Sequence, residues 1–196
     1  MLGGFKPLLP FASATLAEVS VRSALEAGCR VLLVVGNRGG EVAALFRGEE
    51  RVLVVPNPAW KEGMVGSIQA ALPAVEGEAF FVCHADMPFV RPGDYLALVS
   101  AWALRSGAAL PAEAIFAASR DRAGHPVILP SSWIPDILCL ERGGALKDFL
   151  AARPRFLVET GMGSLRDIDT PADYASATGA CPGAGMDSFL RLGKRP

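Results

Sequence analysis

Residues 80–90 read FFVCHADMPFV: an apolar run that breaks off at His84-Ala85-Asp86, with Pro88 just behind. The run 79–83 has the length of a strand and the composition of one buried on both faces. A carboxylate directly after such a strand must find partners or serve a purpose, because burying it bare is costly or shifts its pKa. The texture recurs at 30–35, RVLLVV, a short β-branched run that reads as a buried parallel strand, and again at 51–55.

Between these runs the spacing turns helical. Thr15 and Glu18 form a capping-box pattern ahead of a helix that Gly28 ends. Helices are expected over 39–46, 64–75, 92–105, 131–140 and 144–152, and strands over 114–119, 126–129, 155–159 and, more weakly, 164–168. Thr170-Pro171-Ala172-Asp173 opens a last helix with a cap, a proline in the first turn and an acidic third position. Strands alternating with helices predict an α/β domain with a mostly parallel sheet over 1–178. Residues 179–196, rich in glycine and charge, read as a C-terminal extension with at most one helical turn at 187–192.

The totals narrow the function. The chain has 196 residues, 51% of them hydrophobic, and a net charge of −1. That suits one globular domain and lacks the basic excess of a nucleic-acid binder. No apolar run reaches the ~18 residues of a membrane span, and no signal-peptide layout opens the chain. Four scattered cysteines without a C-x-x-C pair, and two histidines, read as reduced thiols of a cytoplasmic protein. No G-x-G-x-x-G follows a strand, which argues against a nicotinamide-dependent oxidoreductase.

Ligands of open α/β sheets bind beyond the carboxyl ends of the strands, where Asp86 stands. Its alternative role is capping a turn or helix. A second acidic cluster, RDIDTPADY, puts Asp167 and Asp169 on one side of an extended segment and Ile168 on the other. Carboxylates from the two places are enough for one Mg²⁺, which takes one or two of them plus substrate phosphates; the alternative for Asp169 is helix capping with Thr170. Lys6, in GGFKPLLPF, is a compact charge suited to a phosphate, or else a surface lysine. His84 reads as a partly buried, hydrogen-bonded histidine, and Trp60 as either a pocket wall or a core anchor.

Five segments in order, FKPLLPF, NPAWKEGMVGSIQAAL, HADMPFV, RAGHPVIL and DIDTPADY, give the chain a resemblance to the nucleotidyltransferases of molybdenum-cofactor biosynthesis, more closely to the molybdopterin cytidylyltransferase branch. The resemblance runs from about residue 3 to 177. It implies a three-layer Rossmann-like fold and transfer of a nucleoside monophosphate from an NTP, CTP favoured and GTP the alternative, to a phosphorylated acceptor, with pyrophosphate leaving. It implies that Lys6 holds the triphosphate, that Asp86 binds Mg²⁺, and that Asp169, with Asp167, completes the metal site. Gly63, Gly66 and Ser67 would line the nucleotide pocket near a helix start, whose free N–H groups suit an anion. His125, between Gly124 and Pro126, would lie on the acceptor side or simply shape a turn. Arg142, Gly143 and Gly144, read as a helix N-terminus, would take a terminal phosphate of the acceptor. A molybdoenzyme partner also follows from the resemblance; a homo-oligomer is left open.

The family begins with a strand and a glycine-rich phosphate loop ahead of the lysine, and here Met1-Leu2-Gly3-Gly4 stands where that motif ends. The first strand is therefore expected to be missing from the centre of the sheet, and the chain to be weakly active at most. Three explanations stand open: a start downstream of the true one, a shortened relative acting as a non-catalytic binding or maturation module, or another segment or second chain filling the place.

Overall fold

The computed structural model describes residues 5–106 and 112–179; the helical turn expected at 187–192 lies outside the described residues. A hairpin of two short strands, β1 (Pro10–Phe11) and β2 (Ala14–Thr15), leads into α1 (Leu16–Glu26). The capping box forms as the spacing predicts: Glu18 N–H donates to Thr15 Oγ1, and Thr15 N–H donates to the Glu18 carboxylate. Gly28, at φ +88°, turns the chain after the helix in a conformation that favours glycine.

There follow β3 (Val31–Val35), α2 (Gly39–Leu45), β4 (Val52–Pro56), α3 (Met64–Ala71), β5 (Ala79–Val82) and α4 (Pro92–Ser106). Then come β6 (Ala114–Ser119), β7 (Arg122–Pro130), α5 (Ile134–Leu138), α6 (Leu146–Ala151), β8 (Arg155–Glu159) and α7 (Pro171–Thr178). Strand β3 pairs in parallel with β4. A four-stranded sheet runs in the order β5-β7-β6-β8, with β6 and β8 parallel and β7 antiparallel to both neighbours. The sheet is thus mixed. The antiparallel strand arises because Arg120 and Asp121, at φ +51° and +62°, make a tight turn that sends β7 straight back along β6. Strand β7 is also longer than its apolar stretch, since ladder pairing continues through Arg122 and Ala123.

Alternation divides the sheet's side chains between two cores. Ala114, Val127 and Leu129 pack with Val65, Leu72, Trp133, Ile137, Phe149 and Leu150 from the helices on one face. Ile115, Ala117 and Ile128 pack with Leu98 of α4 on the other. Covering both faces with helices gives the expected three layers. No helix among the described residues is long and apolar enough to cross a membrane. The strand expected over 164–168 is instead a 3-10 turn, Met162–Leu165, followed by an extended stretch. Its apolar residues do not cover a strand face; Ser164 is buried there and donates to Gly161 O at 2.8 Å.

Strands β3 and β5 do not pair with each other. Arg30, just before β3, and Glu76, before β5, form an ion pair of 2.7 Å. Beyond the far ends, Lys6 meets Asp86, while Phe5 packs against the cluster that holds Leu33 and Val35. The two strands therefore run the same way along a cleft of about 720 Å³, lined by Val31–Val34 and by Ala79–Cys83. Phe81 and Cys83 line it and are partly buried, packing on Met87, Val90 and Tyr95.

Candidate functional site

The site is built at the carboxyl end of β5, where the apolar run gives out. Asp86 follows the strand by four residues, and its backbone carbonyl accepts from Ile168 N–H at 3.1 Å. That one bond pins the two acidic segments together although they lie far apart in sequence. Close backbone contacts support it. A Cβ on Gly163 would sit 2.3 Å from Phe89 O, and one on Gly124 would sit 2.1 Å from Ser164 O. Only glycine lets the 161–166 turn lie flat on the 87–90 loop and on β7. Fully buried Ile168 anchors the segment, and the alternation expected from sequence leaves Asp167 and Asp169 facing solvent.

Lys6 closes the arrangement. It lies in a 3-10 turn, Lys6–Leu8, stiffened by Pro7. Its Nζ is 2.6 Å from Asp86 Oδ2 and 2.5 Å from Asp169 Oδ1. Partial burial opposes the lysine's charge, but the hydrogen bonds it donates to Asp169 and Asp86 outweigh it and raise its pKa. The same ammonium lowers the pKa of Asp169. Asp169 is not a helix cap. The cap of α7 is Thr170, whose side chain accepts from Asp173 N–H, and the reciprocal carboxylate is Asp173. Nor does Asp86 cap anything: its Oδ1 is buried and accepts no hydrogen bond, the nearest candidate being His84 Nδ1 at 4.0 Å.

That unpartnered oxygen bears on whether the site suits a divalent cation. One carboxylate oxygen is bridged to a cation already and another is short of one, which fits the group. Among the described residues no set of three or more His, Cys, Asp or Glu side chains is placed to hold an ion alone. Asp86 and Asp169 would need oxygens from a bound phosphate and from water to complete the shell, as Mg²⁺ commonly does.

Beside Asp86 the two histidine rings lie against each other, with centroids 4.4 Å apart and planes tilted by 47°. His125 Nδ1 is 3.2 Å from Val82 O, a hydrogen bond that leaves Nε2 of the neutral ring as an acceptor. Burial, reinforced by His84, lowers the His125 pKa. His84 Nε2 is buried without a partner.

The residues expected around the nucleotide gather at the start of α3. Gly63, at φ +115°, is its N-cap without a side-chain cap, so the first N–H groups stay free. Ser67 and Met64 line the same cleft as Lys6, His84 and Asp86. The Ser67 hydroxyl accepts from buried Asn57 Nδ2 at 3.0 Å, which ties the end of β4 to the helix. Arg142, Gly143 and Gly144 require a correction. Helix α6 begins at Leu146 with Ala145 as its cap, so they form the turn before the helix rather than its N-terminus. They fold onto the 62–66 loop instead: Arg142 pairs with Glu62 at 3.1 Å, and a Cβ on Gly63 would lie 3.0 Å from Arg142 O. Sequence reading missed this clasp, because its signal is a pair of glycine contacts between distant loops. It also missed that Tyr174 donates to Pro10 O, which ties α7 to the Lys6 end of the chain.

Comparison with known proteins follows the same lines. The family model described as MobA-like NTP transferase domain matches residues 1–156. The chain is similar to molybdenum cofactor cytidylyltransferase of Escherichia coli K12, with 28% identity over 178 residues, 90% of this chain and 88% of that one. Among solved structures it resembles Rv0371c of Mycobacterium tuberculosis H37Rv, with TM-score 0.75, 22% identity and coverage of 91% and 90%. A manganese complex of that protein is also similar, with TM-score 0.70, 22% identity and coverage of 90% and 93%. Molybdopterin-guanine dinucleotide biosynthesis protein A of Archaeoglobus fulgidus matches with TM-score 0.64, 17% identity and coverage of 91% of each chain.

Proposed function

The chain belongs to the family of MobA-like NTP transferase domains, and from that premise we propose that it transfers CMP from CTP to the terminal phosphate of a pterin-type cofactor. It is a nucleotidyltransferase by family. The choice of CTP and of a molybdopterin acceptor rests on the cytidylyltransferase relative. The observation that carries the reading is the meeting of Lys6, Asp86 and Asp169 beyond β5, at the end of the sheet where phosphates are bound in such folds.

In this reading an oxygen of the acceptor phosphate attacks the α-phosphorus of CTP, a phosphoanhydride forms, and the bond to pyrophosphate breaks. The acceptor is already anionic, so no side chain has to remove a proton. The protein's work is to hold two anions in line and to offset their charge. Mg²⁺ held by Asp86 and Asp169, with Asp167 beside them, would supply positive charge at the α-phosphate and the departing pyrophosphate. Lys6 contributes a second positive charge to the triphosphate. The uncapped start of α3, at Gly63, Gly66 and Ser67, offers backbone N–H groups to the nucleotide. His125 Nε2 and the guanidinium of Arg142 are assigned to the acceptor. The partly buried thiols and the biosynthetic relatives support a cytoplasmic location, with a molybdoenzyme receiving the product.

Calorimetric titration with CTP and with GTP, each with Mg²⁺, tests the reading. Mg²⁺-dependent binding of CTP, lost in Asp86→Asn, is expected. A folded protein that binds neither nucleotide, or an Asp86→Asn protein that transfers CMP at the wild-type rate, refutes it.

A further inference from the structure

We propose that Lys6 is an internal competitor for the cation: its ammonium fills the place between Asp86 and Asp169 until a cation displaces it or a triphosphate draws it away, so that cation and nucleotide favour each other's entry. The inference rests on the function proposed above and adds an order to its binding steps.

On the two oxygens that Lys6 bridges, ammonium and cation exclude each other. Lys6 Nζ touches an oxygen of each carboxylate, at 2.6 and 2.5 Å. A Mg²⁺ at its usual ~2.1 Å from those same oxygens would lie inside the contact shell of the ammonium, with like charge. One of the two has to leave. The lysine backbone is not free to do so. Leu8 N–H donates to Phe5 O at 3.0 Å, Leu9 N–H donates to Lys6 O at 3.1 Å, and the Phe5 ring packs on the Leu33–Val35 core beneath the Arg38 guanidinium. Exchange therefore falls to the flexible lysine stem alone, which already lines the cleft beside the start of α3.

A released ammonium needs a new anion. Around it stand His84, Asp86, Asp167, Asp169 and Asp173. With Asp86 and Asp169 taken by a cation, a phosphate chain is the partner whose charge repays the move. Cation and triphosphate then each improve the other's affinity, as linkage requires.

Acetylation of the full-length protein by an amine-reactive ester, read at Lys6 by peptide mass spectrometry, tests this, with exposed Lys147 as the internal reference. Mn²⁺ binding is followed in parallel by electron paramagnetic resonance. Saturating Mn²⁺ alone is expected to raise Lys6 acetylation roughly fivefold, the scale of losing a surface ion pair, with Lys147 unchanged. Inorganic triphosphate added on top is expected to suppress it again. Asp86→Asn should raise Lys6 acetylation without any cation. Mn²⁺ that binds while Lys6 acetylation stays constant overturns the exchange and leaves the cation site standing. Absence of Mn²⁺ binding with or without triphosphate overturns both.

Discussion

Alanine at position 163 adds one methyl group where the fold has no room for it. The new Cβ would lie 2.3 Å from Phe89 O and 3.0 Å from Phe89 C, against 3.4 Å or more in an ordinary contact. The obstacle is backbone, so the 161–166 turn and the 87–90 loop must part by about 1 Å. Asp86 is three residues before Phe89, and its carbonyl is held by Ile168 N–H, so that parting falls on the joint that brings Asp86 and Asp169 together. Overpacking of this kind costs about 1–3 kcal/mol. In a chain of this length that lowers the Tm by roughly 3–10 °C. A displacement of about 1 Å at reacting groups lowers turnover by about a hundredfold. Gly93→Ala is the control, because a Cβ there meets nothing within 4 Å and the site lies within α4, where alanine is favoured. Thermal unfolding by circular dichroism and CTP-dependent pyrophosphate release measure both effects. A Gly163→Ala protein with the Tm and turnover of the Gly93→Ala control refutes the claim that this contact sets the site.

Other outcomes follow from the same structure. Burial and His84 hold the His125 pKa below its ordinary 6.5, so the unfolded chain takes up a proton at higher pH than the native one. That stability is complete above pH ~6.5 and is lost as the pH falls through the folded value; urea unfolding between pH 7.5 and 5 should show the decline, and His125→Gln should flatten it. An unchanged slope contradicts the assignment. Thr170→Ala removes the hydroxyl that accepts from Asp173 N–H, leaving only the backbone half of the α7 capping box, and should cost about 1 kcal/mol. Denaturant unfolding that detects no loss would mean that the cap is not what holds this helix start.

Much of this was readable in the residues because it depends on neighbours in sequence. The strands at 31–35 and 52–56 follow from β-branched runs, and the boxes at Thr15 and Thr170 from a three-residue spacing. The alternation of Asp167, Ile168 and Asp169 held even though no strand formed, since burial of Ile168 alone orients its neighbours. What could not be read depends on distant chain segments. The direction of β7 was set by two residues in left-handed conformation, neither of them glycine. The bridging position of Lys6 needs both carboxylates in place before it has meaning, and Gly163 is informative only once Phe89 is known to lie beneath it.

The cleft beside β3 leaves the backbone ladders in two pieces. Among the described residues no strand joins β3–β4 to the four-stranded sheet. The seam is closed by side chains: Val31 in the cluster of Phe81 and Cys83, Arg30 with Glu76, and Lys6 with Asp86. Packing of that kind gives way locally before a hydrogen-bonded sheet does, so the smaller half can loosen while the larger stays whole. Lys6 and Asp86 straddle the seam, and a ligand that grips both would rivet the halves together, making occupancy of the site a matter of the protein's cohesion as well as its chemistry.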